Sequence, residues 1–277
     1  MKNYLGIELG STRIKAVMIN NDYRPVYSSD FIWKSTFKDG IWTYDLNQLW
    51  DGIRSVLKDV DDPLSIDAAG ISGMMHGYLA FDQDWNLLTP FRTWQNNITK
   101  QAADELTELF QFNIPQRWSI AHLYQAILNK EPHIKKIAHI TTLAGYVHYM
   151  LTGINAVGIG EASGIFPIDS KTLDYNKTML LKLESKLSCF GIDWKLEELL
   201  PQVLIAGNPA GGLTSQGANR LNGLLPVGLP FAPPEGDAGT GMVATNCISE
   251  GTGNVSAGTS VFSMIVLEKP IKRSIRK

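Results

Sequence analysis

Residues 8–13 read Glu-Leu-Gly-Ser-Thr-Arg, a carboxylate, a glycine, two hydroxyls and a cation in one short stretch. A turn of that composition presents backbone N–H and side-chain O–H groups to a phosphate. A carboxylate beside it suits magnesium, which takes oxygen ligands. Arg13 and Lys15 add positive charge toward a polyphosphate. An ordinary hairpin with a polar turn explains the same residues, and the turn alone does not separate the two readings. The chain has no G-x-x-x-x-G-K-S/T segment, so it carries no P-loop. A strand pattern rather than a helix follows the turn, so it is not a dinucleotide fingerprint.

Three further segments carry groups capable of chemistry. In Ser72-Gly73-Met74-Met75-His76-Gly77 an apolar run gives way to glycines and a histidine. Ligands of open α/β sheets bind beyond the carboxyl ends of strands, and His76 there can hydrogen-bond a hydroxyl. A buried, satisfied histidine is the competing reading. Trp94-Gln95-Asn96-Asn97 joins a flat apolar face to amides, a mixture suited to sugar C–H surfaces and hydroxyls. Asn97 or Thr99 capping the next helix is compatible with that. Asp237, in Pro-Pro-Glu-Gly-Asp-Ala-Gly-Thr-Gly, ends a strand and opens a helix of small residues suited to tight packing. Its carboxylate can take a proton from a substrate hydroxyl, or it can cap the helix. Gly236, Gly239 and Gly241 permit close approach and favour the first role. Gly258-Thr259-Ser260 repeats the first turn, as a second phosphate cradle or as another hairpin turn.

The elements that must position these residues are legible in outline. Residues 4–9 and 14–19 read as strands around a tight turn, followed by a third strand and by Gly-Ile-Trp-Thr-Tyr-Asp as another. Leu46, Leu49, Trp50, Ile53, Val56 and Leu57 have helical spacing behind Asp45 as N-cap. Residues 66–71 read as a buried strand. The order strand, strand, strand, helix, strand predicts an α/β fold with a mixed sheet. Helices are predicted over 99–112, 119–129, 142–151, 176–187 and 194–199. Residues 207–224 are glycine-rich and read as loops and turns. The closing segment, 254–267, echoes the first hairpin, which suggests two related half-structures. The second would begin near residue 250, so the chain is expected to be the first part of a larger protein.

Composition narrows the function classes. Hydrophobic residues make up 44% and charged residues 19%, a globular balance, and the net charge of −2 has no block of one sign behind it. No nucleic-acid or membrane partner is therefore expected. The basic end, Lys-Pro-Ile-Lys-Arg-Ser-Ile-Arg-Lys, reads as the exposed edge of an interrupted domain. Cys189 and Cys247 are far apart and lack metal-type spacing, which fits two reduced thiols and a cytoplasmic location. No signal peptide and no transmembrane stretch is predicted.

Taken together and in order, these segments resemble the FGGY family of carbohydrate kinases, with xylulokinase-type members most alike. The likeness rests on Gly-Ile-Glu-Leu-Gly-Ser-Thr at 6–12, Ser-Gly-Met-Met-His-Gly at 72–77, Thr-Trp-Gln-Asn-Asn at 93–97, Glu-Ala-Ser-Gly at 161–164, Pro-Glu-Gly-Asp-Ala-Gly at 234–239 and Ser-Ala-Gly-Thr-Ser at 256–260. The resemblance implies a ribonuclease-H-like fold of the actin and hexokinase type. It implies a sugar-binding domain over 1–248 and the truncated start of a nucleotide-binding domain over 249–277. It implies ATP-dependent phosphorylation of a sugar, a ketose such as xylulose, with magnesium. By residue, it makes Asp237 the general base, Met75, His76, Trp94 and Asn96 sugar contacts, and Glu8 the acid near magnesium. Gly10, Ser11, Thr12 and Arg13 form the first phosphate loop and Thr259 belongs to the second. The chain departs from the family pattern by carrying Glu for Asp at positions 8 and 161 and Glu-Gly before Asp237. Without its nucleotide domain the isolated chain is expected to be inactive, and a non-catalytic sugar-binding module is the alternative. Its exposed last hairpin admits pairing with a second copy, a homodimer.

Overall fold

The computed structural model describes residues 2–257, 261–269 and 271. Its strands are β1 (Asn3–Leu9), β2 (Arg13–Asn20), β3 (Pro25–Ile32), β4 (Thr36–Lys38), β5 (Ile41–Thr43), β6 (Ile66–Gly73), β7 (Leu79–Phe81) and β8 (His139–Thr141). They continue with β9 (Ala156–Gly158), β10 (Ile168–Asp169), β11 (Asp174–Tyr175), β12 (Gln202–Leu204), β13 (Glu235–Gly236), β14 (Gly253–Ala257) and β15 (Val261–Ile265). The helices are α1 (Leu46–Leu57), α2 (Lys100–Phe110), α3 (Ser119–Leu128), α4 (Leu143–Thr152), α5 (Ile159–Ala162), α6 (Lys177–Ser188), α7 (Leu196–Leu199), α8 (Ser215–Arg220) and α9 (Asp237–Ala244).

The organising element is a five-stranded mixed sheet in the order β13-β6-β1-β2-β3. β1, β2 and β3 are antiparallel neighbours, whereas β6 runs parallel to β1 and β13 parallel to β6. Alternation sets its two faces. Leu5, Ile7, Leu9, Ile14, Ala16 and Ile71 point into the main core, where they meet Leu49, Ile53 and Val56 of α1 and Val147 and Leu151 of α4. Each fully buried Leu, Ile or Val contributes about 1.5–3 kcal/mol. Asp45 caps α1 as predicted, its carboxylate accepting the Asn47 N–H at 2.8 Å. A second core holds α2, α3 and α6 together through Leu106, Leu123, Phe166 and Leu183.

Three local expectations are corrected. Residues 207–224 are not all turn: α8 lies among them, and Gly217 is the reason. A Cβ there would collide with the Leu151 backbone of α4, so this glycine marks two backbones in contact. Thr99 precedes α2 but does not cap it, because its hydroxyl donates to the Gln116 carbonyl. The small-residue helix α9 is not tightly packed among the described residues: none of its residues is buried, and a Cβ at Gly239 meets open space. The last hairpin forms as β14 and β15, but its 258–260 turn, with Thr259, lies outside the described residues. Among the described residues no helix is long and apolar enough to cross a membrane.

Candidate active site

Parallel pairing brings the carboxyl ends of β1, β6 and β13 side by side. Glu8 pairs with Ser72 and Ser72 with Glu235, so Lys15, Glu8, Ser72 and Glu235 form one row across four strands. That row lines a cavity of about 420 Å³, together with Gly6, Gly70 and Thr240. Just beyond the strand ends lie the 10–12 turn, the 74–77 segment and Asp237. Residues far apart in sequence thus share one edge of the sheet.

The first turn is held tightly to the protein through its carbonyls. Its carbonyls are all turned back into the protein. Leu9 O accepts from Met74 N at 2.9 Å, Thr12 O from Trp33 N at 3.2 Å and Arg13 O from Gly10 N at 3.0 Å. Gly10 O accepts from Trp33 Nε1 and Ser11 O from Tyr44 Oη, both at 2.7 Å. Trp33 and Tyr44 are buried with their rings tilted against each other, centroids 4.3 Å apart, which fixes the turn from beneath. With its carbonyls and the Gly10 N–H used inside the protein, the Ser11 and Thr12 N–H and O–H groups are the donors the turn has left, the kind of group an anion takes. Gly10 suits the bend, since a Cβ there would lie 3.2 Å from Glu8 Oε1 and 3.0 Å from Arg13 O. Arg13 is ion-paired with Asp30 on β3, and Lys15 holds Glu8 Oε2 at 3.0 Å.

Asp237 is the first residue of α9, and Gly236 is its N-cap, so Asp237 does not cap the helix. Its Oδ1 accepts the backbone N–H of Met75 at 3.2 Å and of Ala238 at 2.9 Å. Desolvation at the strand ends pushes its carboxyl up, those N–H groups pull it down, and the nearby Glu8 carboxylate pushes it up again. Ser72 Oγ and Thr240 Oγ1, 2.8 Å apart, tie β6 to the same helix. A carboxylate held by backbone donors and exposed at the strand ends has the chemistry to accept a hydroxyl proton.

His76 and Met75 sit beside it on a left-handed bend, with φ of 70° at His76 and 87° at Gly77. His76 Nδ1 lies 3.4 Å from Gly164 O, and a Cβ on Gly164 would come within 2.6 Å of that nitrogen. The glycine of Glu-Ala-Ser-Gly is therefore the seat of the histidine. Burial first, then the Arg117 charge, push His76 down to about 4, against the pull of the Gly164 carbonyl. The ring is neutral near pH 7. The amide of Asn96 is already committed. It accepts from Trp42 N at 2.8 Å and donates to Trp42 O at 2.8 Å and Thr93 O at 3.0 Å. The structure thus places Asn96 as the buried clasp of β5, while Trp94 packs half-buried against the main core.

Three groups here went unassigned in the sequence. Arg117 sits beside His76, and its backbone carbonyl accepts the Gly77 N–H at 3.1 Å. Glu161 is fully buried, and neither carboxyl oxygen makes a hydrogen bond of good geometry, the Thr142 hydroxyl being its one polar side-chain neighbour of opposing effect. Its oxygen Oε2 faces Gly236, where a Cβ would lie 2.6 Å away. Burial raises its carboxyl well above the ordinary value, and the Asp237 and Glu235 charges add to this, with Thr142 opposing. Glu235 lies over Gly158 and Gly160 and accepts the Glu161 N–H at 3.0 Å. The glycines at 158 and 160 were the available signal for that side chain.

The residues fit a magnesium ion that arrives with phosphate. Glu8, Asp237, Ser11 and Thr12 are all hard oxygen donors. Among the described residues no group of three His, Cys, Asp or Glu is placed to hold a metal unaided.

Comparison with known proteins gives this geometry a context. The model of the FGGY family of carbohydrate kinases, N-terminal domain, matches residues 3–243. The xylulose kinase of Escherichia coli strain K12 is 23% identical over 280 residues, covering 96% of this chain and 54% of its own. A glycerol kinase of Thermococcus gammatolerans is 20% identical, covering 99% of this chain and 56% of its own. Among solved structures, ligand-bound xylulose kinase from Lactobacillus acidophilus superposes with a TM-score of 0.82 at 18% identity, over 98% of this chain and 55% of that one. Gluconate kinase from the same organism gives 0.79 at 18% identity, over 94% and 53%. These likenesses show the ribonuclease-H-like fold of the actin and hexokinase type. The chain spans about half the length of the curated relatives it matches.

Proposed function

The chain belongs to the FGGY family of carbohydrate kinases, and from that premise we propose that it supplies the sugar side of an ATP-dependent sugar kinase. The substrate class is a ketose such as xylulose, and Asp237 is the general base. The observation that supports this reading is the shared sheet edge: the hydroxyl-bearing turn at 10–12 and the exposed carboxylate at 237, both fixed by backbone hydrogen bonds.

Phosphoryl transfer asks for alignment and charge neutralisation more than covalent work. Asp237 takes the proton of the attacking hydroxyl. The neutral His76 ring and the Met75 segment orient the sugar, with Trp94 offering an apolar wall. Ser11 and Thr12 receive phosphate oxygens through N–H and O–H donors, while Gly10, its own N–H held by the Arg13 carbonyl, shapes the loop. Glu8 would hold a magnesium ion brought in with ATP, which supplies charge neutralisation when bound. Asn96 acts on the sugar side by holding β5 in place. Thr259 belongs to the second phosphate contact in this reading.

The domain division follows the same reading, with sugar binding over 1–248 and the beginning of a nucleotide-binding domain over 249–277. Cytoplasmic residence, where ATP is available, and free Cys189 and Cys247 agree with it. The test is ATP-coupled turnover over a ketose panel by the full-length protein, with and without Asp237→Asn. Loss of a positioned base is expected to lower kcat by about 10²–10⁴-fold. Unchanged turnover removes Asp237 as the base. For these 277 residues alone, the half-length match to the relatives supports sugar binding without turnover. Robust ATP-dependent phosphorylation by this polypeptide overturns that second reading.

A further inference from the structure

A second cavity, of about 370 Å³, opens at the far end of α4 and shares no residue with the cavity beside Glu8. Its size falls within the range of about 300–1,000 Å³ common to small-molecule sites. α4 has ten residues and is about 15 Å long. Its first turn lies near Glu161, where Thr142 acts on that carboxyl, and its last turn, Tyr149 to Gly153, lines the second cavity.

Three elements meet there. The turn after β7 brings Asp84, Trp85 and Asn86, α4 brings Tyr149, and α8 brings Gln216 and Arg220. Trp85 stacks on Tyr149 at 3.5 Å and on His139 at 4.7 Å. Asp82 Oδ1 accepts the N–H groups of Asp84 and Asn86, at 3.0 and 2.9 Å, which fixes the turn that carries the indole. The Arg220 guanidinium lies 5.0 Å over the ring of Trp50, and Trp50 is buried. Arg220 Nε is itself buried without a hydrogen-bond partner, and no carboxylate among the described residues forms an ion pair with this side chain. A guanidinium pre-oriented on an indole and lacking an acid is prepared for an external anion.

We propose that this cavity is a second small-molecule site, one that takes a phosphorylated sugar. Arg220 receives the phosphate. The Tyr149 ring, backed by the Trp85 indole, covers the C–H face of the sugar. Asp84, Gln216 and the Asn86 amide oxygen take its hydroxyls. These added hydroxyl and C–H contacts make a phosphorylated polyol bind better than inorganic phosphate. The site does not depend on the kinase reading, because none of these residues belongs to the Asp237 cleft.

The experiment is calorimetric titration of the full chain with ribose 5-phosphate, ribose and inorganic phosphate. NMR of the Trp85 indole N–H serves as a local reporter. Saturable binding of ribose 5-phosphate that shifts the Trp85 signal is expected, with weaker binding of the other two probes. Removing a charge-assisted partner with Arg220→Ala is expected to weaken it about tenfold or more. Gln216→Glu, at an exposed position that leaves the fold intact, adds a repelling charge and is expected to weaken it as well. Three results each overturn the proposal: no saturable binding of ribose 5-phosphate, binding indifferent to both variants, or binding that Asp237→Asn abolishes.

Discussion

Two hairpins in this chain carry one sequence pattern and lead different lives. In β1–β2 the inward side chains Leu5, Ile7, Leu9, Ile14 and Ala16 are all at most 2% exposed. In β14–β15 Val255, Val261 and Ile265 are 67%, 73% and 64% exposed. Alternation of apolar residues made both strands, but it did not bury them. The first hairpin lies between β3 and β6 with α1 beneath it, whereas the second is a two-stranded sheet touched by α9. A hairpin without a covering layer is marginal in water. Local pattern decides that a strand forms, and the neighbours decide what that strand contributes.

The largest expected effect comes from breaking the covered hairpin. Leu9→Ala removes a fully buried side chain beside the 10–12 turn and is expected to cost about 2–5 kcal/mol in urea unfolding. A cost below 0.5 kcal/mol, within the range of a surface change, would erase the contrast.

A smaller effect, with a sign set by pH, sharpens the comparison at the buried end of the same sheet. Folded Glu161 keeps its carboxyl well above the ordinary value of 4.5, while the unfolded chain ionises there. The folded state then binds more protons, so its stability falls as pH rises above that value. Glu161→Gln is expected to unfold at a higher temperature than the natural protein at pH 7. The two are expected to converge as pH drops below the ordinary carboxyl range. A variant equally stable or less stable at pH 7 would show that Glu161 does not carry this cost.

The smallest effect belongs to the uncovered hairpin. Phe262→Ala is expected to stay within about 0.5 kcal/mol. Hydrogen exchange gives the same contrast without mutation: the β14–β15 amides are expected to exchange through local opening, and those of β1–β2 only through global unfolding. Equal protection in the two would end the distinction.

The sequence disclosed the skeleton of the fold and much of what meets at its edge. The spacing of Leu49, Trp50, Ile53 and Val56 behind Asp45 marked α1, and the alternation of 4–9 and 14–19 marked the first hairpin. Hidden from it was whatever depends on two remote backbones touching. Gly217 reads as a turn residue, because nothing local reveals Leu151 pressed against it. Asn96 reads as a sugar ligand, because nothing local reveals Trp42 consuming its amide. Trp33 and Tyr44, which hold the 10–12 turn, carry no signature beyond being aromatic.

Glu235 and the glycines beneath it also constrain the order in which this region can change. A side chain at 158 or 160 collides with the Glu235 carboxylate while that carboxylate is pinned by the Glu161 N–H. Neither glycine can change first without cost, but either becomes permissive once position 235 is trimmed. The three positions are mutationally coupled, and their substitutions are non-additive in a predictable direction.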